Sequence, residues 1–170
     1  MLTLTAVRRV GLSYEYKKAI ELPEQVESQF RIQPGDVFVS RANTLELVGL
    51  SSVAEARSEE RLIFPDLLIK LRVDPSRVLP RYLAYALRSA GARRQIKARA
   101  LGASQTMVKI SGERLREVAV PVPSLTEQEA IVAHLDAAHE LIERLSEDSS
   151  TIDVEAVRVA ILRKAFEGEL

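Results

Sequence analysis

The chain has 170 residues with 24 basic and 24 acidic side chains, so its formal net charge is zero. Apolar residues make up 46% and there is no cysteine, which excludes a disulfide scaffold, an iron–sulfur cluster and a cysteine-ligated zinc site. The N-terminus lacks the basic start and the following apolar run that are typical of a signal peptide. No apolar stretch reaches the roughly 18 residues of a membrane span. We therefore expect a cytoplasmic protein that makes no membrane contact.

The zero net charge hides two segments of opposite charge. Residues 1–125 carry 20 basic and 13 acidic side chains, a net charge of +7, whereas residues 126–170 carry 4 basic and 11 acidic side chains, a net charge of −7. Pro121 and Pro123 separate the segments, because proline ends regular elements. We expect one domain over residues 1–123 and a helical region over residues 124–170. The asymmetry indicates a nucleic-acid or protein partner, or else an unevenly decorated surface.

The first segment mixes strand and helix signals along the chain. A Pro-Gly turn precedes a β-branched and aromatic run that predicts a strand at residues 37–39. An exposed loop or frayed helix is expected at residues 51–61, a small polar loop at 102–106, and strands at 62–65, 67–73 and 115–122. Residues 80–99 have a helical period that Gly91 divides. This order predicts an α+β fold: a β-rich domain followed by a long C-terminal helical, coiled-coil segment.

The second segment begins with a helix signal. Thr126 and Glu129 have the spacing of a capping box. The apolar positions that follow step by four and three, as in a narrow coiled-coil seam. They are Ile131, Leu135, Ala138, Ile142 and Leu145. Polar residues 147–150 are either a break between two helices or a polar step within one. The seam needs a partner surface, which is the chain's own first segment, a second copy or another protein.

Catalytic options are poor in this sequence. His134 and His139 are five residues apart and do not share a helical face as a metal-binding pair would. Asp66 and Lys70 are weakly similar to a metal-dependent nuclease core, but Leu68 stands where a second acid is required. No phosphate-binding loop or nucleophile elbow is present. We expect no catalytic residue, no metal site and no cofactor.

Residues 81–116 contain nine basic side chains and one acidic one. Such a stretch binds phosphates, with an affinity that falls steeply with salt, or pairs with acids of the same domain. Short polar side chains and an arginine fork nearby could contact phosphates or base edges. These are Ser104, Gln105 and Thr106 in the predicted loop, and Arg41 and Asn43 after the first strand.

Several segments resemble specificity subunits of type I restriction–modification systems. They are residues 35–41, 82–89, 102–111, 120–128 and 165–170. The resemblance implies a DNA target recognition domain followed by a family helix. It also implies that two such halves read a split site, and that their helices form an antiparallel coiled coil that docks two methyltransferase subunits. Those partners bind S-adenosylmethionine and methylate adenine, and a motor subunit cleaves.

This resemblance assigns expected roles to individual residues. Arg93, Arg94, Lys97 and Lys109 are the expected phosphate contacts, and bases are expected to be read by loops such as residues 14–18 or 43–61. The resemblance implies that the chain holds one recognition domain without its leading part, so we expect a homodimer through the C-terminal helix to supply the second half. The alternative is a truncated protein–protein module that binds methyltransferase subunits without reading DNA. A stand-alone nuclease is a third alternative.

Overall fold

The computed structural model describes residues 1–7, 11–55, 61–104, 107–148 and 154–167. Helices and short antiparallel strands are both present in these ranges, in separate runs along the chain, which confirms the predicted α+β fold class. The helices are α1 (Glu24–Phe30), α2 (Pro80–Arg88), α3 (Ala90–Arg99), α4 (Gly112–Arg116), α5 (Leu125–Asp148) and α6 (Val154–Glu167). The strands are β1 (Val37–Ser40), β2 (Ala42–Asn43), β3 (Ser51–Val53), β4 (Leu68–Leu71), β5 (Leu101–Ser104) and β6 (Met107–Lys109).

The first sheet has β1 in its centre, with β3 and β4 paired antiparallel on either side. The strands predicted at residues 37–39 and within residues 67–73 are confirmed by β1 and β4. Val37 and Val39 pack towards the helices, whereas Phe38 packs on the opposite face against Phe64, with ring centroids 5.0 Å apart. Because both faces are covered, all four residues of β1 are buried.

The second sheet has the strand order β2–β6–β5, again antiparallel. Val108 in the middle of β6 is buried, while its neighbours Met107 and Lys109 are exposed, as expected for a strand with one covered face. Gly102 allows the two strands of the β5–β6 hairpin to approach closely. A Cβ at this position would overlap the carbonyl oxygen of Met107 and lie 2.9 Å from Cα of Val108.

The helical prediction for residues 80–99 is confirmed, but the division lies at Ser89 and not at the predicted Gly91. Ser89 is the N-cap of α3, and its hydroxyl oxygen accepts a hydrogen bond from the amide of Ala92 at 3.4 Å. A Cβ on Gly91 would meet no atom within 4 Å, so the glycine is not required there for space.

Four other local predictions are wrong. Residues 51–53 form the buried strand β3 and not a loop, because the hydroxyl of Ser51 donates to the carbonyl of Ala84 at 2.7 Å. Residues 101–104 form β5, where a loop was predicted from residue 102. Residues 62–65 make one isolated bridge, at Ile63, in place of a strand. Leu115 belongs to α4, and the residues that follow it up to the prolines form no strand.

Helix α5 is capped two residues earlier than predicted. The hydroxyl oxygen of Ser124 accepts from the amide of Glu127 at 3.3 Å, and the Glu127 carboxylate accepts from the amide of Ser124 at 2.9 Å. The capping box is therefore Ser124–Glu127, and the predicted Thr126–Glu129 box is wrong. Both pairs have the same spacing, and the cap lies where the proline-rich segment stops.

Helix α6 runs back along α5, so the polar step is a break between two helices and not part of one. Leu135 of α5 shares a core with Leu162 and Ala165 of α6 and with residues of the first sheet. The predicted seam is thus covered within the chain at Leu135 and Ile142, which are buried, and half-covered at Ile131 and Ala138. For Leu145 the structure describes the backbone alone. No helix among the described ranges is long and apolar enough to cross a membrane.

Candidate nucleic-acid interface

The outer face of the second sheet is exposed and positively charged. Lys109 lies at the end of β6 and Arg41 directly precedes β2, and both side chains are exposed. The amide of Ile110 donates to the carbonyl of Arg41 at 2.9 Å, so the Arg41 backbone lies beside the end of β6, while Ala42 is the residue opposite Lys109 in the ladder. The sequence has no acidic residue from 101 to 112. This face therefore carries the charge that phosphate oxygens require.

Two large apolar side chains accompany these cations. Leu101 is 59% exposed and Met107 is 57% exposed. Leu101 lies directly opposite Lys109 in the ladder, and Met107 is two residues from Lys109 on the same strand, so the three side chains share one face. A mixture of cations and apolar groups matches a DNA groove, where phosphates flank thymine methyl groups.

Part of the predicted contact set lies between β5 and β6 in the sequence. Gln105 and Thr106 fall outside the described residues, and for Ser104 the structure describes the backbone alone. Asn43 lies at the end of β2 and is half-buried. Its side-chain oxygen accepts from the amide of Thr44 at 2.8 Å, and its amide nitrogen has no described partner.

Arg93 and Lys97 lie on one face of α3, directed at the turn formed by residues 44–49. Arg93 donates from Nη1 to the carbonyl of Val48 at 2.6 Å and from Nη2 to the carbonyl of Glu46 at 2.9 Å. Burial lowers the pKa of Arg93, against the opposing effect of the Glu46 carboxylate. Lys97 donates to the Glu46 carboxylate at 2.6 Å, and this hydrogen bond lowers the pKa of Glu46.

Arg94 lies on a different face of α3. It is exposed and lines a cavity of about 230 Å³ together with Arg163 and Phe166 of α6 and Pro121. The three cations predicted to act together on α3 therefore divide into two places, with Arg93 and Lys97 in one and Arg94 in the other. Residues three or four apart share a helical face, but adjacent residues do not.

The remaining cations of residues 81–116 include four with partners inside the chain. Arg81 pairs with Asp136, Arg88 donates to the carbonyl of Ser51, Arg99 pairs with Glu117, and Arg114 donates to the carbonyl of Arg99. Both interpretations of the basic stretch thus have support: some cations hold the domain together, and others face outwards. Composition cannot separate the two groups, because their partners are distant in sequence.

Sequence reasoning missed the residues that join α5 to the domain. Gln128 is fully buried; its side-chain oxygen accepts from the amide of Leu79 at 2.8 Å, and its nitrogen donates to the carbonyls of Arg77 and Pro123, each at 2.9 Å. Gln128 precedes Ile131 by three residues and so continues the seam. A polar residue at a seam position is the signal that could have found it.

Asp136 makes the second joint between α5 and α2. Its carboxylate accepts from Arg81 at 2.8–2.9 Å and from the hydroxyl of Tyr85 at 2.5 Å, and Arg81 also pairs with Glu55. Burial, followed by the hydrogen bond to Asp136, raises the pKa of Tyr85. The phenol therefore stays protonated and keeps donating to the carboxylate across the range in which proteins are folded.

The residues considered for catalysis are placed apart. Lys70 pairs with Asp36 at 2.6 Å, and Asp66 is exposed. His134 is exposed, whereas His139 is half-buried with its ring 5.5 Å from that of Tyr85. Within the part of the chain that the structure describes, no three metal-ligating side chains come together.

The chain is similar in sequence to specificity subunits of type I restriction enzymes. The chain is 25% identical over 173 residues to the specificity subunit of the type I restriction enzyme EcoKI from Escherichia coli (strain K12), covering 100% of this chain and 37% of that protein. It is 28% identical over 159 residues to the StySPI specificity subunit from Salmonella potsdam, covering 91% of this chain and 34% of that protein. The chain thus spans little more than a third of these relatives.

A solved structure and a family model complete the comparison. The fold is similar to the S subunit of a type I restriction–modification system from M. genitalium, with a TM-score of 0.51 and 22% identity, over 71% of this chain and 30% of that one. At this identity the likeness concerns the fold alone. The model of the type I restriction modification DNA specificity domain matches residues 11–151. Since this match covers most of the sequence, the chain belongs to the type I restriction modification DNA specificity domain family.

Proposed function

We propose that this chain is a specificity subunit, or half of one, that recognises part of a split DNA site and leaves the chemistry to its partners. The observation that carries the proposal is the exposed cation Lys109 beside the exposed apolar side chains of Leu101 and Met107 on one sheet face, with the exposed Arg41 next to β2. Arg41 and Lys109 are the proposed phosphate contacts of the second sheet. In this role the chain acts in the cytoplasm.

The other predicted contacts enter this proposal in different ways. Ser104, Gln105 and Thr106 stay proposed DNA contacts, because they precede β6 in the sequence. Asn43 lies on the edge strand of the same sheet, and its amide nitrogen has no hydrogen-bond partner among the described residues. Arg94, on the other face of α3, is a second phosphate contact outside the sheet. Arg93 and Lys97 already hold partners within the chain, so their proposed contribution to DNA binding comes through those partners.

The salt dependence of DNA binding tests the phosphate contacts. We expect Arg41→Gln/Lys109→Gln to weaken binding to a random-sequence duplex and to lower the slope of log affinity against log salt by about 2, since each phosphate contact contributes about 0.9. The matched control is Arg163→Gln/Lys164→Gln, which removes two exposed charges from α6. An unchanged slope in the first variant, or an equal fall in the control, would reject the sheet as the contact surface.

The α5–α6 pair is the proposed docking site for methyltransferase subunits. Leu141 and Val159 are 57% and 54% exposed on these helices and are the apolar contacts available to a partner. The test is to purify the chain with the methyltransferase subunit encoded beside it and to map methylated adenines by sequencing. A reproducible split motif supports the proposal. We expect Leu141→Glu to abolish the complex while leaving duplex binding by the isolated chain unchanged.

A homodimer remains the proposed source of the second half-site. Leu135 and Ile142 are buried inside the chain, so two copies must meet through exposed side chains of α5 and α6 or exchange α6. Sedimentation equilibrium of the full chain decides this point. A monomer at all concentrations would mean that the second half-site is supplied by another polypeptide.

The alternative is a protein–protein module that has lost DNA reading. The observation that favours it is the internal pairing of Arg81, Arg88, Arg99 and Arg114, which leaves fewer cations for phosphate. It predicts that the chain binds the methyltransferase subunit but shows no affinity for duplex DNA even at low salt. Duplex binding with the expected salt slope would reject it.

A further inference from the structure

The turn of residues 44–49 follows β2 and has its backbone hydrogen bonds satisfied within the chain. The amides of Leu47 and Val48 both donate to the carbonyl of Thr44, at 3.0 and 2.8 Å. The amide of Gly49 donates to the carbonyl of Ser40 at 2.8 Å, and the hydroxyl of Ser40 donates to the carbonyl of Leu47 at 2.8 Å. A turn held by this many bonds has one conformation before any partner arrives.

Arg93 completes the turn from the side of α3. Its two terminal nitrogens donate to the carbonyls of Val48 and Glu46, which the turn's own amides leave without partners. Bonds from a charged donor are stronger than those between neutral groups. Because Nη1 and Nη2 each donate to a carbonyl of the turn and the side chain is half-buried, the guanidinium of Arg93 is directed at the turn.

Lys97 lies one helical turn beyond Arg93 and pairs with the carboxylate of Glu46 at 2.6 Å. The Glu46 side chain is 75% exposed, so without Lys97 it would place an unpaired negative charge beside DNA phosphates. The pair thus does two things: it adds a side-chain bond to the turn and it cancels a charge that would repel the duplex.

The turn presents a large apolar side chain to solvent. Leu47 is 44% exposed, while its neighbour Val48 is fully buried in the core that contains Ile96 and Val108. Gly49 has φ +74°, and a Cβ there would overlap Cγ2 of Ile96, so the turn packs directly on α3. Leu47 is therefore held in place four residues beyond Asn43, the last residue of β2.

We propose that the 44–49 turn is a base-reading element in which Leu47 contacts a base edge in the DNA groove, and that Arg93 and Lys97 are positioning residues for it. This inference rests on the proposed function, because it requires the second sheet to face DNA. An apolar side chain discriminates bases by contact with the thymine methyl group. A turn that is already ordered loses little conformational entropy when it binds.

The experiment combines selection from a random-sequence duplex pool, amide hydrogen exchange and the salt slope, all with the full chain. In Arg93→Met we expect the turn amides to lose protection and sequence enrichment to fall about tenfold, with the salt slope unchanged. Leu47→Gln should change the enriched bases while the turn amides stay protected. The control Arg94→Met should lower the slope by about 1 and leave the enriched sequence as it was.

A charge exchange provides a test that does not depend on Arg93. Glu46→Lys and Lys97→Glu should each reduce enrichment, and the double variant should restore it, because the ion pair is rebuilt in the opposite sense. If Arg93→Met does not fold, this set decides the question alone. Failure of the double variant to exceed either single variant would overturn the positioning role of Lys97.

The outcomes separate the inference from the proposed function. If the unmodified chain does not bind the duplex pool, the proposed function fails and the inference fails with it. If it binds but enriches no sequence, or if the Leu47 and Arg93 variants enrich the same sequence as the unmodified chain, the inference alone is wrong. A slope lowered by about 1 in Arg93→Met, with the turn still protected, would instead make Arg93 a phosphate contact.

Discussion

The two described sheets have the same number of strands but differ in how many of their faces are exposed to solvent. Around β1, both faces are covered: Val37 meets α2, α5 and α6, and Phe38 meets the aromatic ring of Phe64. In the second sheet the inner face is covered through Val108, whereas Lys109 and Met107 on the outer face of β6 are exposed to solvent. A sheet buried on both faces stabilises the fold, whereas a sheet with one free face is available to a partner.

This difference explains where the chain places its charge. The described cations near the first sheet, such as Arg81 and Arg88, are engaged with carboxylates or carbonyls of the same chain. At the second sheet, Lys109 on the outer face and Arg41 before β2 are exposed, and the strands of this sheet contain no acidic residue. The contrast leads to four predictions, in order of decreasing expected effect.

Truncation inside the first sheet should have the largest effect on stability. We expect Phe38→Ala to lower the free energy of unfolding by about 3–5 kcal/mol, because it leaves a cavity against Phe64. The matched variant on the free face of the second sheet is Met107→Ala, which should change stability by less than about 0.5 kcal/mol. Urea titration followed by circular dichroism measures both values, and equal losses would remove the distinction between the sheets.

A glycine substitution should damage the second sheet specifically. Gly102→Ala forces a Cβ against the backbone of Met107 and Val108, so we expect a loss of about 1–3 kcal/mol and weaker duplex binding. Gly91→Ala meets no atom within 4 Å and lies in a helix, where alanine is favoured over glycine by about 0.5–1 kcal/mol. Thermal melts of the two variants should therefore shift in opposite directions.

Removal of the α5 N-cap should destabilise the helix that packs on the first sheet. We expect Ser124→Ala to cost about 1 kcal/mol and to speed amide exchange in the first turn of α5, since the hydroxyl caps the amide of Glu127. Thr126→Ala is the control and should change stability by less than about 0.5 kcal/mol. A larger effect at Thr126 would mean that the cap lies where the sequence first placed it.

The smallest expected effect is a pH dependence that comes from His139, which packs on Tyr85 behind the first sheet. Burial, with help from Arg158 and Arg88, lowers the pKa of His139 below its ordinary 6.5. The unfolded chain then binds the proton more readily, so stability should be full above the ordinary pKa and fall as the pH drops through it. Unfolding free energies at about pH 7.5 and about pH 5.5 test this.

Substitution of each histidine isolates the contribution of His139. His139→Gln should flatten the decline between the two pH values, whereas His134→Gln, which removes an exposed ring, should leave the decline unchanged. The second sheet has no histidine, so duplex binding at constant salt should not follow the same pH curve in this range.

Local signals predicted much of the fold. The β-branched residues of β1, the helical period of residues 80–99 and the long apolar repeat of α5 each reflect one element's own periodicity. The serines of β3 predicted a loop, but Ser51 has a hydrogen-bond partner 33 residues away in the sequence. A local stretch of sequence does not contain that partner. The same limit applies to the direction of α6, which depends on the chain reversing after α5.

The candidate site was predictable in composition but not in arrangement. The sequence predicts a basic surface, and Arg41 and Lys109 are exposed where a partner could reach them. It does not show that Arg93 and Lys97 turn inwards to Glu46 while Arg94 turns to another face. The partner of a long cationic side chain depends on which carbonyl or carboxylate the fold brings near it. Those groups come from other segments of the chain.

The joint made by Gln128 bears on which substitutions around it the chain can tolerate. All three of its hydrogen bonds end on main-chain atoms, those of Arg77, Leu79 and Pro123. A contact with the main chain does not depend on the side chains that the partner residues carry. Changes of side chain at Arg77 or Pro123 would therefore leave the bonds from the Gln128 amide to these carbonyls in place, and with them the joint between α5 and the segment that precedes α2.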